Sequence, residues 1–188
     1  MLQYFEDMTE ERFWELFTLF LVEPSDTFVE SYRKERLFLL KHFGPRVRRI
    51  SHVGSTAIKG ILTKPCVDII FEIDELTNLK MFMEDMVELG YIVDTSRSDL
   101  AVFCKGYTTQ GYLPIQTHIH VRYFGDPDEL YFRDYLNEFP DVAKRYEKLK
   151  VKLIEEYRHD RHGYTVAKLK FKRRIVKLAR AHYGPKYK

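Results

Sequence analysis

The apolar residues of this chain change period four times, from helical to alternating, back to helical for one segment, to alternating again and finally to helical. Phe13, Leu16, Phe17 and Phe20 recur at three- and four-residue spacing behind Thr9, Glu10 and Glu11, which predicts a helix running toward Pro24. Val29, Tyr32, Leu37, Leu40 and Phe43 carry a second helix from about Ser25 or Asp26 to the stop at Gly44-Pro45. The stretches "VRRISHV" and "CVDIIFEI" are rich in β-branched residues and flanked by glycine or proline, so both read as strands. Leu79, Phe82, Met83, Met86 and Val87 mark a helix that begins near Leu76 and closes at Gly90. "YIVD", "LAVFCKGY" and "LPIQTHIHVRYF" predict three further strands, the last two an antiparallel pair joined by a loop holding Gly106, Gly111 and Pro114. After "GDPDEL" the helical period returns in "LYFRDYLNEF", in "DVAKRYEKLKVKLIEEY" with Val142, Tyr146, Leu149 and Leu153 on one face, and in "YTVAKLKFKRRIVKLARAHY".

Strands gathered between two helical ends predict an α/β or α+β domain with a mixed sheet, helices on one face and room for a cleft on the other. With 188 residues the chain is expected to form one domain. Its parts are N-terminal helices over 1–45, a mixed sheet core over 46–125 and basic helices over 126–188.

Charge adds an asymmetry to this picture. Residues 1–144 hold 16 Lys and Arg against 24 Asp and Glu, whereas residues 145–188 hold 15 against 4. Such a tail can grip phosphates or nucleic acid, or it can lie as a solvated helix face against an acidic body. In "KLKFKRRIVKLAR" the stripe Phe171, Ile175, Leu178, His182 predicts packing on the domain, which favours a small phosphate ligand over nucleic acid. A hydrophobic content of 45% with dispersed charge excludes disordered and collagen-like classes. The start lacks a cationic leader and a bilayer-spanning apolar run, so no membrane association is expected. Cys66 and Cys104 form no CxxC pair and sit in apolar stretches, which predicts reduced, buried thiols and a cytoplasmic setting.

Side chains alternate across a strand, so Asp68, Ile70 and Glu72 share one face while Val67, Ile69, Phe71 and Ile73 share the other. The second set is wholly apolar and faces the core, leaving Asp68 and Glu72 on the more open side. In "QTHIHV" the same rule groups Gln116, His118 and His120. With apolar sets aligned in one sheet, carboxylates and imidazoles converge on one surface, as a divalent-metal or phosphate site requires. The bland alternatives are an Asp that hydrogen-bonds a loop and strand histidines that pair with neighbours. Favouring the site is the preceding loop: Gly54 permits close backbone approach, and Ser55 and Thr56 offer hydroxyls and amides to a phosphate.

A Gly-Ser pair followed, a dozen residues on, by an aspartate on an apolar strand resembles the signature of the nucleotidyltransferase superfamily. More specifically, "HVGSTAIKGILTKPCVDI", "THIHV", "FRDYLNEFPDVAKRYEKLK" and "YTVAK" resemble, in order, recurring segments of the GrpB family, over roughly Val22 to Tyr183. The chain is also similar to the domain appended to some dephospho-CoA kinases. The resemblance implies a nucleotidyltransferase-like mixed sheet with a helical C-terminal extension. It also implies a nucleotide or other phosphate ligand at Gly54, Ser55 and Thr56, with Lys64, Arg133, Tyr164 and Lys168 as further contacts. A divalent metal, Mg²⁺ or Mn²⁺, would sit at Asp68. The family's reaction is not established, so the fold is implied more strongly than any chemistry.

Departures from the superfamily pattern sharpen the question of catalysis. Ile70 stands where a second acid is usual, and Glu72, on the same face about 6 to 7 Å further along, is the expected substitute beside Asp68 as a catalytic carboxylate. Where a third acid would come, the chain offers His118 and His120, donors that favour Zn²⁺, Mn²⁺ or Fe²⁺ over Mg²⁺. The alternatives are therefore a non-catalytic nucleotide- or CoA-binding or chaperone-like module, and a metallohydrolase built on Asp68, His118 and His120.

Overall fold

A computed structural model describes residues 8–188. Its centre is a five-stranded sheet made of β1 (Val47–Val53), β2 (Cys66–Ile73), β3 (Ile92–Ser96), β4 (Leu100–Thr108) and β5 (Gly111–Tyr123), in the order β1-β2-β5-β4-β3. β2 and β5 run parallel and the other neighbours antiparallel, so the sheet is mixed as the strand pattern predicts. The described residues form seven α-helices, α1 (Glu10–Leu16), α2 (Asp26–Phe43), α3 (Leu79–Glu88), α4 (Asp128–Glu138), α5 (Pro140–Glu156), α6 (Arg161–Ala167) and α7 (Leu169–Tyr183).

α2 and α3 cover one sheet face. Phe28, Leu39 and Phe43 from α2 and Phe82 and Met86 from α3 pack on Val67, Ile69, Phe71 and Ile73, the wholly apolar side of β2. Each large side chain buried there contributes roughly 1.5–3 kcal/mol. The helical extension turns back over part of the opposite face. There Leu130 of α4 lies against Val53 and Ile70. A second layer forms where Phe132, Tyr146 and Ile175 meet Ile58 and Ile61 of the loop after β1. Cys66 and Cys104 are buried and unbonded to each other.

Several boundaries differ from the sequence expectation. α1 is capped by Thr9 but ends at Leu16 instead of continuing toward Pro24. Beyond it Val22 forms an antiparallel bridge with Thr63, exchanging backbone bonds of 2.7 and 3.0 Å, and Phe20 is exposed. Leu37, expected inward, is 65% exposed, because the buried stripe of α2 runs through Phe28, Leu39 and Phe43. α3 starts behind the Asn78 cap, and Val87 faces out. Gly106 belongs to β4, not to a loop: the β4–β5 turn is tight, with Thr108 paired to Gly111. Gly106 instead takes a φ of 92° at a register shift, where a Cβ would stand 2.9 Å from the Ile115 carbonyl oxygen. The last predicted helix is broken at Lys168 into α6 and α7. Ala179 takes the buried place expected of Leu178, which is exposed, and His182 lies outside, 2.9 Å from Glu138.

Candidate functional site

The parallel pairing of β2 with β5 sets Asp68 beside His118 and Ile70 beside His120. The Asp68 carboxylate consequently lies 3.5 Å from His118 Nδ1 and 3.9 Å from His120 Nε2. Above it the chain leaves β1 at Gly54 with a φ of 70°, then makes one 3₁₀ turn through Ser55–Ala57. A Cβ at residue 54 would come within 2.1 Å of Asp68 Oδ2, so glycine is required both by its backbone angle and by contact with the carboxylate.

A cleft of ≈ 320 Å³ opens between this loop, the sheet and helices α4 to α7. Gly54, Ser55, Lys64, Asp68, His118, His120, Tyr164 and Lys168 line it. Arg161 and Lys172 line it too, and neither was foreseen. None of the ion pairs among the described residues involves Lys64, Arg161, Lys168 or Lys172. Lys168 Nζ stands 3.8 Å and Lys64 Nζ 5.7 Å from the Tyr164 ring centre, so two lysine side chains share one aromatic ring. Burial, reinforced by these neighbouring cations, pushes both lysines below the ordinary amine range; the Lys168 amine is pushed well below. Two buried polar atoms on the wall have no partner, Arg161 Nη1 and Tyr164 Oη.

Arg161 also fixes the state of His118. Its Nη2 lies 2.9 Å from His118 Nε2, and a guanidinium only donates, so Nε2 accepts and the ring proton sits on Nδ1, facing Asp68. Tyr107 closes the triangle, 2.7 Å from the same nitrogen and itself bonded by Arg161. Burial depresses the His118 pKa to about 4, consistent with this neutral ring. Burial would raise Asp68, but the two facing imidazoles outweigh it and hold the carboxyl well below its usual range.

As a metal centre the donor set is thin. Cys66, Asp68 and His118 bring one donor atom each within 4.8 Å of one another. Burial keeps the Cys66 thiol protonated, pushed up to about 12, and the Nδ1 proton denies a metal the His118 lone pair that faces Asp68. Two cations held by paired acids do not fit. Ile70, where the second acid would stand, is fully buried against Val53 and Leu130. One divalent cation, on Asp68 with His120 alongside, fits provided a ligand supplies further oxygens.

Residues 18–178 match the model of the family described as GrpB protein. The chain belongs to the GrpB family. It is 40% identical over 159 residues to "Glutamate-rich protein GrpB" of Alkalihalophilus pseudofirmus, across 80% of this chain and 90% of that protein. The crystal structure of conserved protein GrpB from Enterococcus faecalis superposes with a TM-score of 0.75 at 23% identity, covering 87% of this chain and 99% of that one. The two therefore share the fold. The Cid1 poly(U) polymerase with Mg 3'-dATP bound gives a TM-score of 0.46 at 15% identity over 72% of this chain and 42% of that one, a likeness too distant to carry an argument.

In this GrpB chain three of the expected site residues lie away from the cleft, each for a visible reason. Glu72 is fully buried, its Oε1 receives Arg49 Nη2 at 2.8 Å and the Gly125 amide at 3.0 Å, and Arg49 Nε bonds its other oxygen. It is a sealed ion pair, and no oxygen is left for a metal. Arg133 holds Asp134 and the His52 carbonyl, at 2.7 and 3.0 Å, fastening α4 to β1. Thr56 lies beneath the loop, donating to the Cys66 carbonyl at 3.1 Å and receiving His52 Nε2–H at 2.9 Å. The missed Arg161 follows Asp160, whose side chain caps α6. Its "RHDRHGY" context carries no periodic signal, and only the return of the C-terminal helices over the sheet gives it a role.

Proposed function

We propose that this protein binds a nucleotide or another phosphate-bearing small molecule in the cleft. The phosphates lie between the Gly54–Ser55 loop and Lys64, Arg161, Lys168 and Lys172, and Asp68, with His120 alongside, would hold one divalent cation that would offset their charge. The observation that carries this reading is the wall itself: Lys64, Arg161, Lys168 and Lys172 make no ion pair among the described residues although Asp68 and Glu129 also line the cleft, and Arg161 Nη1 and Tyr164 Oη are buried and unbonded. Unsatisfied buried donors cost about 1–3 kcal/mol each, and an anionic oxygen satisfies them. The cation, when bound, neutralises phosphate charge. Arg161 and the lysines orient the phosphates, while Tyr164 keeps water from one side of Lys168. Transfer through two metals is not part of the proposal, since Ile70 and Glu72 supply no second ligand set.

Calorimetry with ATP and with CoA, in Mn²⁺ and again after EDTA, tests the proposal. One of the two ligands is expected to bind, more weakly after EDTA and about tenfold more weakly in Lys168→Ala. Absence of binding by both overturns it. Transfer of label from NTP to an acceptor, abolished in Asp68→Ala, would replace it with a transferase. A stoichiometric transition metal in the purified protein would instead be the signature of a metallohydrolase built on Asp68, His118 and His120.

A further inference from the structure

The loop that follows the Gly-Ser turn is held by side chains far from it in sequence. Asn137, near the end of α4, donates from Nδ2 to the Ala57 carbonyl at 2.9 Å and accepts the Lys59 amide on Oδ1 at 2.9 Å. One helix later Glu147 accepts the Leu62 amide at 2.6 Å, and Lys150 donates from Nζ to the Leu62 carbonyl. Four backbone groups between residues 57 and 62 are thus satisfied by two helices whose three donor and acceptor side chains do not line the cleft. Ile58 and Ile61, between these bonds, pack on Phe132 and Tyr146.

Holding an irregular segment in one conformation costs about 1–2 kcal/mol per residue in backbone entropy, and its buried amides must find partners. Lys150 is 1% exposed and lies 5.0 Å from the Tyr146 ring centre, a demanding place for an amine unless its bond to the loop offsets the burial. Glu147 also holds Lys144 at 3.0 Å, which aims its carboxylate. Because all four bonds address backbone, they fix the path of the loop whatever its side chains.

We infer that Asn137, Glu147 and Lys150 are positioning residues for the phosphate loop. They hold the chain after Ala57 so that Gly54 stays seated against Asp68 and Ser55 stays beside Thr63, and they touch no ligand themselves. The effect on affinity rests on the phosphate reading above, whereas the effect on the loop does not.

Hydrogen exchange and ATP titration with Mn²⁺ on the full chain test the inference together. In Glu147→Ala the Leu62 amide, and in Asn137→Ala the Lys59 amide, are expected to exchange at least about tenfold faster, with β2 and β5 protection unchanged. ATP affinity should fall about tenfold in both and recover in Glu147→Gln, whose amide oxygen still accepts the Leu62 N–H. Unchanged loop exchange, a loss of protection spread through β2 and β5, or a Glu147→Gln as weak as Glu147→Ala would overturn it. If the unaltered protein binds neither ATP nor CoA, the phosphate reading falls, and loop exchange alone decides the positioning role; if it binds CoA alone, CoA replaces ATP in the titrations.

Discussion

Asp68 and Glu72 stand on the same face of the same strand, four residues apart, and their surroundings are opposite. Over Asp68 the covering backbone is glycine, the facing side chains are imidazoles, and a cleft of ≈ 320 Å³ opens beyond. Over Glu72 the covering group is Arg49, paired to it in the β1–β2 register, with Gly125 and the Tyr187 carbonyl, the latter 3.3 Å from Arg49 Nη1, closing the rest. Strand alternation decides which way a side chain points. What the neighbouring elements lay on top decides whether it meets a ligand.

The sharpest way to break the comparison is to truncate one acid at a time. Glu72→Ala leaves Arg49 facing a buried void and is expected to cost about 3–5 kcal/mol in urea denaturation. Asp68→Asn is expected to cost on the order of 1 kcal/mol and to weaken Mn²⁺-dependent ligand binding instead. Equal losses from the two substitutions would erase the distinction between a sealed pair and an open site.

A second effect concerns the floor beneath the loop. Burial depresses His52 to about 4, with Arg133 adding to the shift and Asp68 opposing it, so the unfolded chain takes up the proton first as pH falls. Stability is therefore complete above about pH 6.5 and is lost as pH falls toward 4, by on the order of 3 kcal/mol for this one group. His52→Gln, measured by denaturation from pH 7.5 to 4, should flatten that segment of the curve; an unaltered slope would remove His52 from the account.

The smallest expected effects belong to the cleft wall. Tyr164→Phe removes an unpartnered hydroxyl and should change stability by less than about 1 kcal/mol, or raise it, while weakening phosphate binding a few-fold by titration. A variant that binds as tightly as the original would place the phosphate away from Tyr164.

Much of this was legible in the chain before folding. Apolar period, β-branched content and flanking glycine or proline separate the five strands from the helices, and Gly54 and Asp68, singled out in the sequence, are brought into contact by the fold. Glu72 shows the limit: its partner Arg49 is visible only once β1 is known to run antiparallel to β2 in this register. Arg161 and Lys172 reach the cleft because the C-terminal helices return across the sheet, a long-range packing choice with no local sign. Arg133 reads equally as a phosphate ligand or a structural cation until α4 is placed. Leu37 and Leu178 show that one apolar residue at helical spacing is a weak guide when a neighbour a residue or two away serves the same stripe.

The contact between Gly54 and Asp68 makes loop and strand a single mechanical part. No side chain separates them, so any larger residue at position 54 would have to displace either the loop or the carboxylate, and neither can be altered without the other.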